Sequence, residues 1–348
     1  MPIKVLVVDD SALIRSLLGT IIKAEKDLLL VGAAPDAYAA RELINQFSPD
    51  VITLDIEMPK VDGLTFLEKL MKARPTPVVM ISTLTEQGAD ATLRALELGA
   101  IDFIAKPKLD IAQGIEQYRV LILEKIRMAA TAKVKKTEKA KISSQLTMGF
   151  SGTEKIIAVG ASTGGTEAIK DFLVQLPVNS PAVVITQHMP PGFTTSFAKR
   201  LDSLCRLKVQ EVVGGERILP GNAYLAPGNY HLSIKRSGAD YIAQLLDSER
   251  VSGHKPSVDV MFQSLSSCAA KNTVAVILTG MGKDGAAGMY NLHQNGAYTF
   301  AQDEASCVVF GMPKEAINLG GVDEVLPLND LAAAVVKRLQ KINAGSRV

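Results

Sequence analysis

Tryptophan is absent from this chain of 348 residues, and aromatic residues make up only 5% of it. Its cores must therefore be filled by aliphatic side chains. No run of about 18 apolar residues occurs, so no membrane-spanning helix is expected. The opening MPIKVLVVDD runs straight into a strand and then into acid. It lacks the apolar stretch and small-residue cleavage site of a signal peptide. Cysteine is scarce: Cys205, Cys268 and Cys307 are odd in number and widely spaced. That argues against a disulfide framework and against a structural zinc site. A reducing, cytoplasmic location is expected.

What remains is an ordinary globular composition, with 47% hydrophobic and 21% charged residues. The length suggests two or three domains. Net charge is only +2, but it is unevenly spread. Residues 1–124 carry 13 basic against 18 acidic side chains, whereas residues 125–155 carry 8 against 2. The basic part reads as a tether. It has no interleaved aromatics and no reading helix, so nucleic-acid binding is not expected.

Apolar runs and helical stretches alternate along residues 1–125: IKVLVV (3–8), helix 11–24, LLLVGA (28–33), helix 36–47, VITL (51–54), helix 63–72, PVVMIS (77–82), helix 86–98, IDFIA (101–105) and a long helix from about 110. The strands are continuously apolar, as buried parallel strands are when helices cover both faces. Residues 126–153 are small, polar and basic and read as a flexible linker, with a helical start allowed. From 154 to 348 strand and helix alternate again, giving a second α/β domain. A mixed insertion is expected near 220–247, with a hairpin turning at Ser237-Gly238.

In the first domain the polar residues fall at strand ends. Asp9 and Asp10 end the first strand, Asp55 the third, Ser82 the fourth and Lys106 the fifth. The carboxyl ends of strands in a doubly wound sheet converge on one crevice. Three carboxylates gathered there repel one another unless a hard cation such as Mg²⁺ joins them. Asp55 is then placed to attack phosphorus and form an acyl phosphate. Lys106 would pair with the added charge, and the Ser82 hydroxyl could donate to a phosphoryl oxygen. A dinucleotide site is excluded, because DDSALIRS after the first strand has no glycine loop. The segments VLVVDDSALIR, TLDIEMPKVDGLTFL, VVMIS and IDFIAKP resemble the receiver domains of two-component response regulators over residues 1–125. The resemblance implies a flavodoxin-like (βα)5 fold and phosphotransfer from a histidine kinase onto Asp55. It implies Mg²⁺ held by Asp9, Asp10 and Asp55, and a cis bond at Lys106-Pro107.

The second domain carries a different pattern. In IIAVGASTGGTEAIKDFL, Ser162 sits between a strand and a helix, and GASTG matches the G-x-S-x-G nucleophile elbow. A phosphate-cradling loop is the rival reading, but the Gly-Lys-Ser/Thr ending of a P-loop is missing. A nucleophilic serine needs a base. His188 leaves the strand AVVITQ and is the first candidate. His254, in the loop VSGHKPSVD, is the second, with His231 beside a short strand and His293 within a helix. Asp284, in the glycine-rich turn after TVAVILTG, would orient the base; Asp259 and Asp303 are alternatives. The order Ser, His, Asp differs from the Ser, Asp, His of α/β-hydrolases.

GASTGG, QHMPPGFTTSFAKRL, YLAPGNYH, HKPSVDVMFQSL and ILTGMGKDGAAG resemble the catalytic domain of the chemotaxis receptor methylesterase family, CheB, from about 155 to 345. The likeness implies hydrolysis of glutamate γ-methyl esters on the cytoplasmic helices of chemoreceptors, and deamidation of particular glutamines. It implies Ser162, His188 and Asp284 as nucleophile, base and orienting acid, no cofactor for that chemistry, and a backbone oxyanion donor at Met281. A CheA-type kinase would be the phosphodonor. Likeness and domain order together imply that the unphosphorylated receiver blocks the triad and that phosphorylation releases it. The rivals are a purely partner-binding output domain and a hydrolase for an unrelated ester.

Overall fold

The computed structural model describes residues 1–83, 85–106, 112–134 and 154–345. The chain divides into two compact units, Met1–Lys139 and Ala140–Val348. The first has strands β1 (Ile3–Val8), β2 (Leu28–Ala34), β3 (Val51–Asp55), β4 (Val78–Ser82) and β5 (Asp102–Ala105). Alternating with them are helices α1 (Ala12–Lys23), α2 (Ala37–Phe47), α3 (Gly63–Ala73), α4 (Glu86–Glu97) and α5 (Ala112–Thr131). The sheet is parallel in the order β2-β1-β3-β4-β5. Strands β3 and β4 are buried at every residue, which is what continuous apolar runs between two helical layers require. Side chains start the helices: Ser11, Asp36, Asp62 and Thr85 each accept a backbone N–H in the first turn.

Helix α5 continues past residue 125. Ile126, Met128 and Ala129 are buried, and Arg127 donates to Asp27 at 2.7 Å and to Glu25 at 2.8 Å. The segment read as linker from 126 begins as helix, as that reading allowed, and Arg127 belongs to the first unit's ion pairs. Most of the basic segment, 135–153, and the Lys106-Pro107 bond lie outside the described residues.

The second unit is a seven-stranded parallel sheet with a separate hairpin. Its elements are β6 (Ile156–Ala161), α6 (Gly165–Leu173), β7 (Ala182–Gln187), α7 (Phe193–Leu204), β8 (Lys208–Glu211), β9 (Asn222–Leu225), β10 (His231–Ser237), β11 (Asp240–Leu246), α8 (Val258–Cys268), β12 (Thr273–Ile277), α9 (Ala286–Gln294), β13 (Tyr298–Gln302), α10 (Met312–Asn318), β14 (Glu324–Leu326) and α11 (Leu328–Gly345). The order is β14-β13-β12-β6-β7-β9-β8. The chain enters at β6, goes to β7 on one side and later to β12 on the other. The crevice between β6 and β12 is thus the switch point where such sheets bind ligands.

Two expectations change here. Strand β9 is not part of the insertion: it pairs in parallel with β7 and β8 inside the main sheet. The connection from β8 is short and lacks a helix, so it carries no crossover signal. The hairpin β10-β11 pairs Ser237 with Asp240, which moves the turn by one residue to Gly238-Ala239. Strand β14, three residues at the sheet edge and largely exposed, has no periodicity to announce it. The hairpin lays Leu232, Ile234, Tyr241 and Ala243 on Val258, Met261, Phe262 and Leu265 of α8 in one core. That core fixes the N-terminus of α8, on which the site depends. Replacing the fully buried Phe262 by Ala should destabilise the second unit by about 3–5 kcal/mol. Urea denaturation followed by hydrogen exchange at α8 amides measures this; a loss under about 1 kcal/mol would contradict the packing.

Candidate functional site

Each unit gathers polar groups at the carboxyl ends of its strands. In the first, candidate ligand oxygens of Asp9, Asp10 and Asp55 lie within 4.8 Å of one another. Asp9 and Asp55 are buried and Asp10 is exposed. The Lys106 ammonium is 2.7 Å from Asp55 Oδ2 and 3.5 Å from Asp9 Oδ2. Asp9 Oδ2 has no hydrogen-bond partner among the described residues. Burial raises the Asp55 carboxyl to about 6; the Lys106 bond opposes this and the nearby Asp9 charge adds to it. Burial also raises Asp9, against the pull of Lys106. One lysine therefore under-neutralises the cluster. Clustered oxygen donors with an unsatisfied buried oxygen fit a hard divalent cation such as Mg²⁺. The Ser82 hydroxyl accepts from Thr92 at 2.7 Å and reaches Gly88 O at 3.2 Å, so it is engaged with α4.

In the second unit Ser162 follows β6 in a tight turn, with Gly165 N donating to Ser162 O at 2.7 Å. Gly164 has φ +75°, a backbone that favours glycine, and a side chain there would strike Val308. Neighbouring strands pin the turn. Ser162 N donates to Thr279 O at 3.1 Å, and Gln187 Nε2 donates to Ser162 O at 2.9 Å. Gln187 ends β7, and its amide also reaches His188 O at 3.2 Å, so it ties serine and histidine together.

His188 Nδ1 lies 3.0 Å from Ser162 Oγ, and His188 Nε2 lies 2.7 Å from Asp284 Oδ2. Asp284 is buried yet charged. Burial pushes its carboxyl up, but bonds from His188, Ser257 and Val258 outweigh this and hold it at about 2. An ionised Asp284 accepts only, so His188 Nε2 carries the proton and Nδ1 is free to accept from the serine hydroxyl. The ring thus presents Nδ1 to the nucleophile and Nε2 to the acid, the reverse of the serine-protease template. Gly280 lies against the serine: a side chain there would meet Ser162 Cβ at 2.8 Å, and Met281 follows it in the chain.

The other candidates fall elsewhere. His254 stacks on His188, with ring centroids 3.7 Å apart and planes 8° from parallel. His231 is buried at the start of β10. His293 faces Asp323 at 3.3 Å. Asp259 accepts from Gly288 N at 2.7 Å, and Asp303 accepts from Ser306. Three groups were given no role of their own from the sequence: Gln187, Ser257 and the Val258 amide. The last two lie in the glycine-proline loop around His254 that reads as lining the site, and the glutamine ending an otherwise apolar strand could have been noticed.

A serine, a histidine in the accepting tautomer and an ionised aspartate, held at adjoining strand exits, form an acyl-transfer constellation. The family model described as CheB methylesterase matches residues 157–335, and that of the response regulator receiver domain matches residues 5–116. This chain belongs to the CheB methylesterase family. A protein-glutamate methylesterase/protein-glutamine glutaminase of Pseudomonas aeruginosa is 59% identical, with all of both chains covered. One from Nitrosomonas europaea is also 59% identical, over 99% of this chain and 98% of the relative. The Thermotoga maritima CheB methylesterase catalytic domain aligns with TM-score 0.53 and 39% identity, over 54% of this chain and 100% of that one.

The raised Asp55 carboxyl has a linkage consequence. Its folded-state pKa lies above the ordinary 3.8, so the fold favours the protonated form. Stability is then greatest below the unfolded value and declines as pH rises through about 6. Asp55→Asn should stabilise the first unit at pH 7.5 by on the order of 1–3 kcal/mol, with the gain vanishing toward pH 4. Thermal denaturation across that range without divalent cation checks it. A gain independent of pH would contradict the burial origin.

Proposed function

We propose that the chain is a phosphorylation-activated protein-glutamate methylesterase and protein-glutamine glutaminase acting in the cytoplasm on chemoreceptor helices. The observation that carries the proposal is the continuous bonding from Ser162 through His188 to Asp284. His188 Nδ1 takes the hydroxyl proton as Ser162 Oγ attacks the γ-carbonyl of a methylated glutamate. Asp284 stabilises the imidazolium and keeps its orientation. The Met281 amide, beside the serine, donates to the oxyanion. The protonated Nδ1 returns the proton to the leaving methoxide, giving methanol and a glutamyl ester on Ser162. Water, deprotonated by His188, attacks that ester and releases glutamate and free serine. A glutamine side chain follows the same path with ammonia as the leaving group.

The first unit is the input. Asp55 accepts a phosphoryl group from a CheA-type histidine kinase. Asp9, Asp10 and Asp55 would hold Mg²⁺, which supplies charge neutralisation around the phosphoryl oxygens when bound. Lys106 pairs with the charge that phosphorylation adds. Ser82 would leave Gly88 and Thr92 to donate to the phosphoryl group, and its departure would loosen α4.

Methanol release from methyl-labelled receptor membranes, with and without a small phosphodonor, tests the reading. Turnover should rise with the phosphodonor, Asp55→Asn should lose that rise, and Ser162→Ala should lose ester and amide cleavage together, by about 10³-fold or more. Persistent turnover in Ser162→Ala would sink the nucleophile assignment.

A further inference from the structure

His231 is fully buried, and the reaction above does not use it. Both of its ring nitrogens are nevertheless occupied. Nε2 lies 2.9 Å from Glu249 O, and the Ser257 amide donates to Nδ1 at 3.1 Å. These two contacts fix the tautomer. Nδ1 faces an N–H and must be the acceptor; Nε2 faces a carbonyl and must carry the proton. One imidazole thus holds both ends of the strap 249–257.

The strap is built tightly between its ends. Val251 and His254 exchange N–H···O bonds of 3.1 and 2.9 Å around Ser252 and Gly253, whose φ values are both positive at 53° and 82°. Lys255 pairs with Asp247 at 2.5 Å. The strap delivers two contacts to the triad. Its turn sets the His254 ring flat on His188 at 3.7 Å. Its last residue, Ser257, donates its hydroxyl to Asp284 Oδ1 at 2.7 Å, and the next amide, Val258, donates to Oδ2 at 2.7 Å.

We infer that His231 is a positioning residue for the esterase reaction: a neutral imidazole clasp that closes the strap and so sets both the stacking partner of His188 and the donors to Asp284. The inference rests on Ser162, His188 and Asp284 being the catalytic triad. His231 acts only through the strap. Without it the buried Ser257 N–H loses its acceptor and the strap loses its closure. Both effects fall on the orientation of His188, to which proton transfer is sensitive.

The test uses the full chain with methyl-labelled receptor membranes and a phosphodonor. His231→Leu removes both bonds; His231→Asn keeps an acceptor near the Nδ1 position. In His231→Leu, kcat should fall roughly tenfold to a hundredfold while KM stays within about twofold, because the loss is of geometry, not of receptor binding. His231→Asn should recover most of that loss. Nitrogen-15 spectra of the wild-type protein should show His231 as a single neutral species protonated at Nε2. If His231→Leu fails to fold, the His231→Asn kinetics and the spectra decide. A folded His231→Leu with wild-type kcat, an Nδ1–H tautomer, or no recovery in His231→Asn would each overturn the clasp. Ser162→Ala separates the two readings. If it is inactive while His231→Leu turns over normally, only the clasp fails; if it remains active, the triad fails and the clasp with it.

Discussion

The side chain of Asp284 has no solvent exposure, yet four groups donate to it: His188 Nε2, Ser257 Oγ and the amides of Val258 and Asp259. A buried carboxylate without such donors would cost several kcal/mol. Two of the four are first-turn amides of α8, which otherwise have no partner within the helix. The carboxylate therefore caps α8 from another part of the chain, where the positive end of the helix dipole also favours its charge. The arrangement is reciprocal. Asp259 lies in the first turn of α8 and accepts from Gly288 in the first turn of α9, the helix that Asp284 itself precedes. Two helices hold each other's starts, and Asp284 is one of the two fastenings. Helix packing fixes its place at the end of the loop that carries it, and the tautomer and direction of His188 follow.

Asp55 shows what the same burial does without those donors. It too is almost fully buried, but its direct bonds are one ammonium and the Glu57 amide at 3.3 Å, and a second buried carboxylate stands nearby. Burial wins, and its carboxyl moves up to about 6, where that of Asp284 moves down to about 2. The difference suits the two tasks. An orienting acid must stay charged and still throughout the reaction. A phosphoryl acceptor would gain from a site short of positive charge, because that deficit favours a divalent cation, which would then offset the negative charge of the phosphoryl oxygens. The first unit stores that imbalance in its resting state, and the second satisfies its carboxylate completely.

Much of this was legible in the residues. The continuous apolar runs and their alternation with amphipathic stretches gave both parallel sheets. Polar residues at strand exits gave Asp9, Asp55, Ser162, His188 and Asp284, because convergence at a sheet's carboxyl edge is a property of the architecture and needs no long-range information. Short or edge elements were not legible: β14 has three residues, and β9 joins the main sheet through a connection with no helix. The end of α5 was left open, because Arg127, which reads as linker charge, finds Glu25 and Asp27 only once the chain is folded. The loop VSGHKPSVD was legible as a candidate lining of the site, but its closure by His231 was not. Nothing local distinguishes His231 from any histidine beside a strand; its two partners lie 18 and 26 residues away and meet it only in three dimensions.

The order of the strands explains why the acid arrives on a long glycine-rich loop. Ser162 leaves β6, and its neighbours β7 and β12 carry His188 and Asp284. Strands in a sheet are about 4.8 Å apart, so β7 and β12 stand roughly 10 Å from each other with the serine strand between them. An imidazole on β7 can reach the serine but not an acid at the exit of β12. The acid therefore comes from beyond the end of β12, toward the end of the loop that begins at residue 278. Residues 278–285 make this connection, and a side chain at Gly280 would meet Ser162 Cβ at 2.8 Å. One loop thus carries both Met281 and Asp284, and a change in its path would displace both. The Asp284 contacts to the start of α8 brace this loop where it ends.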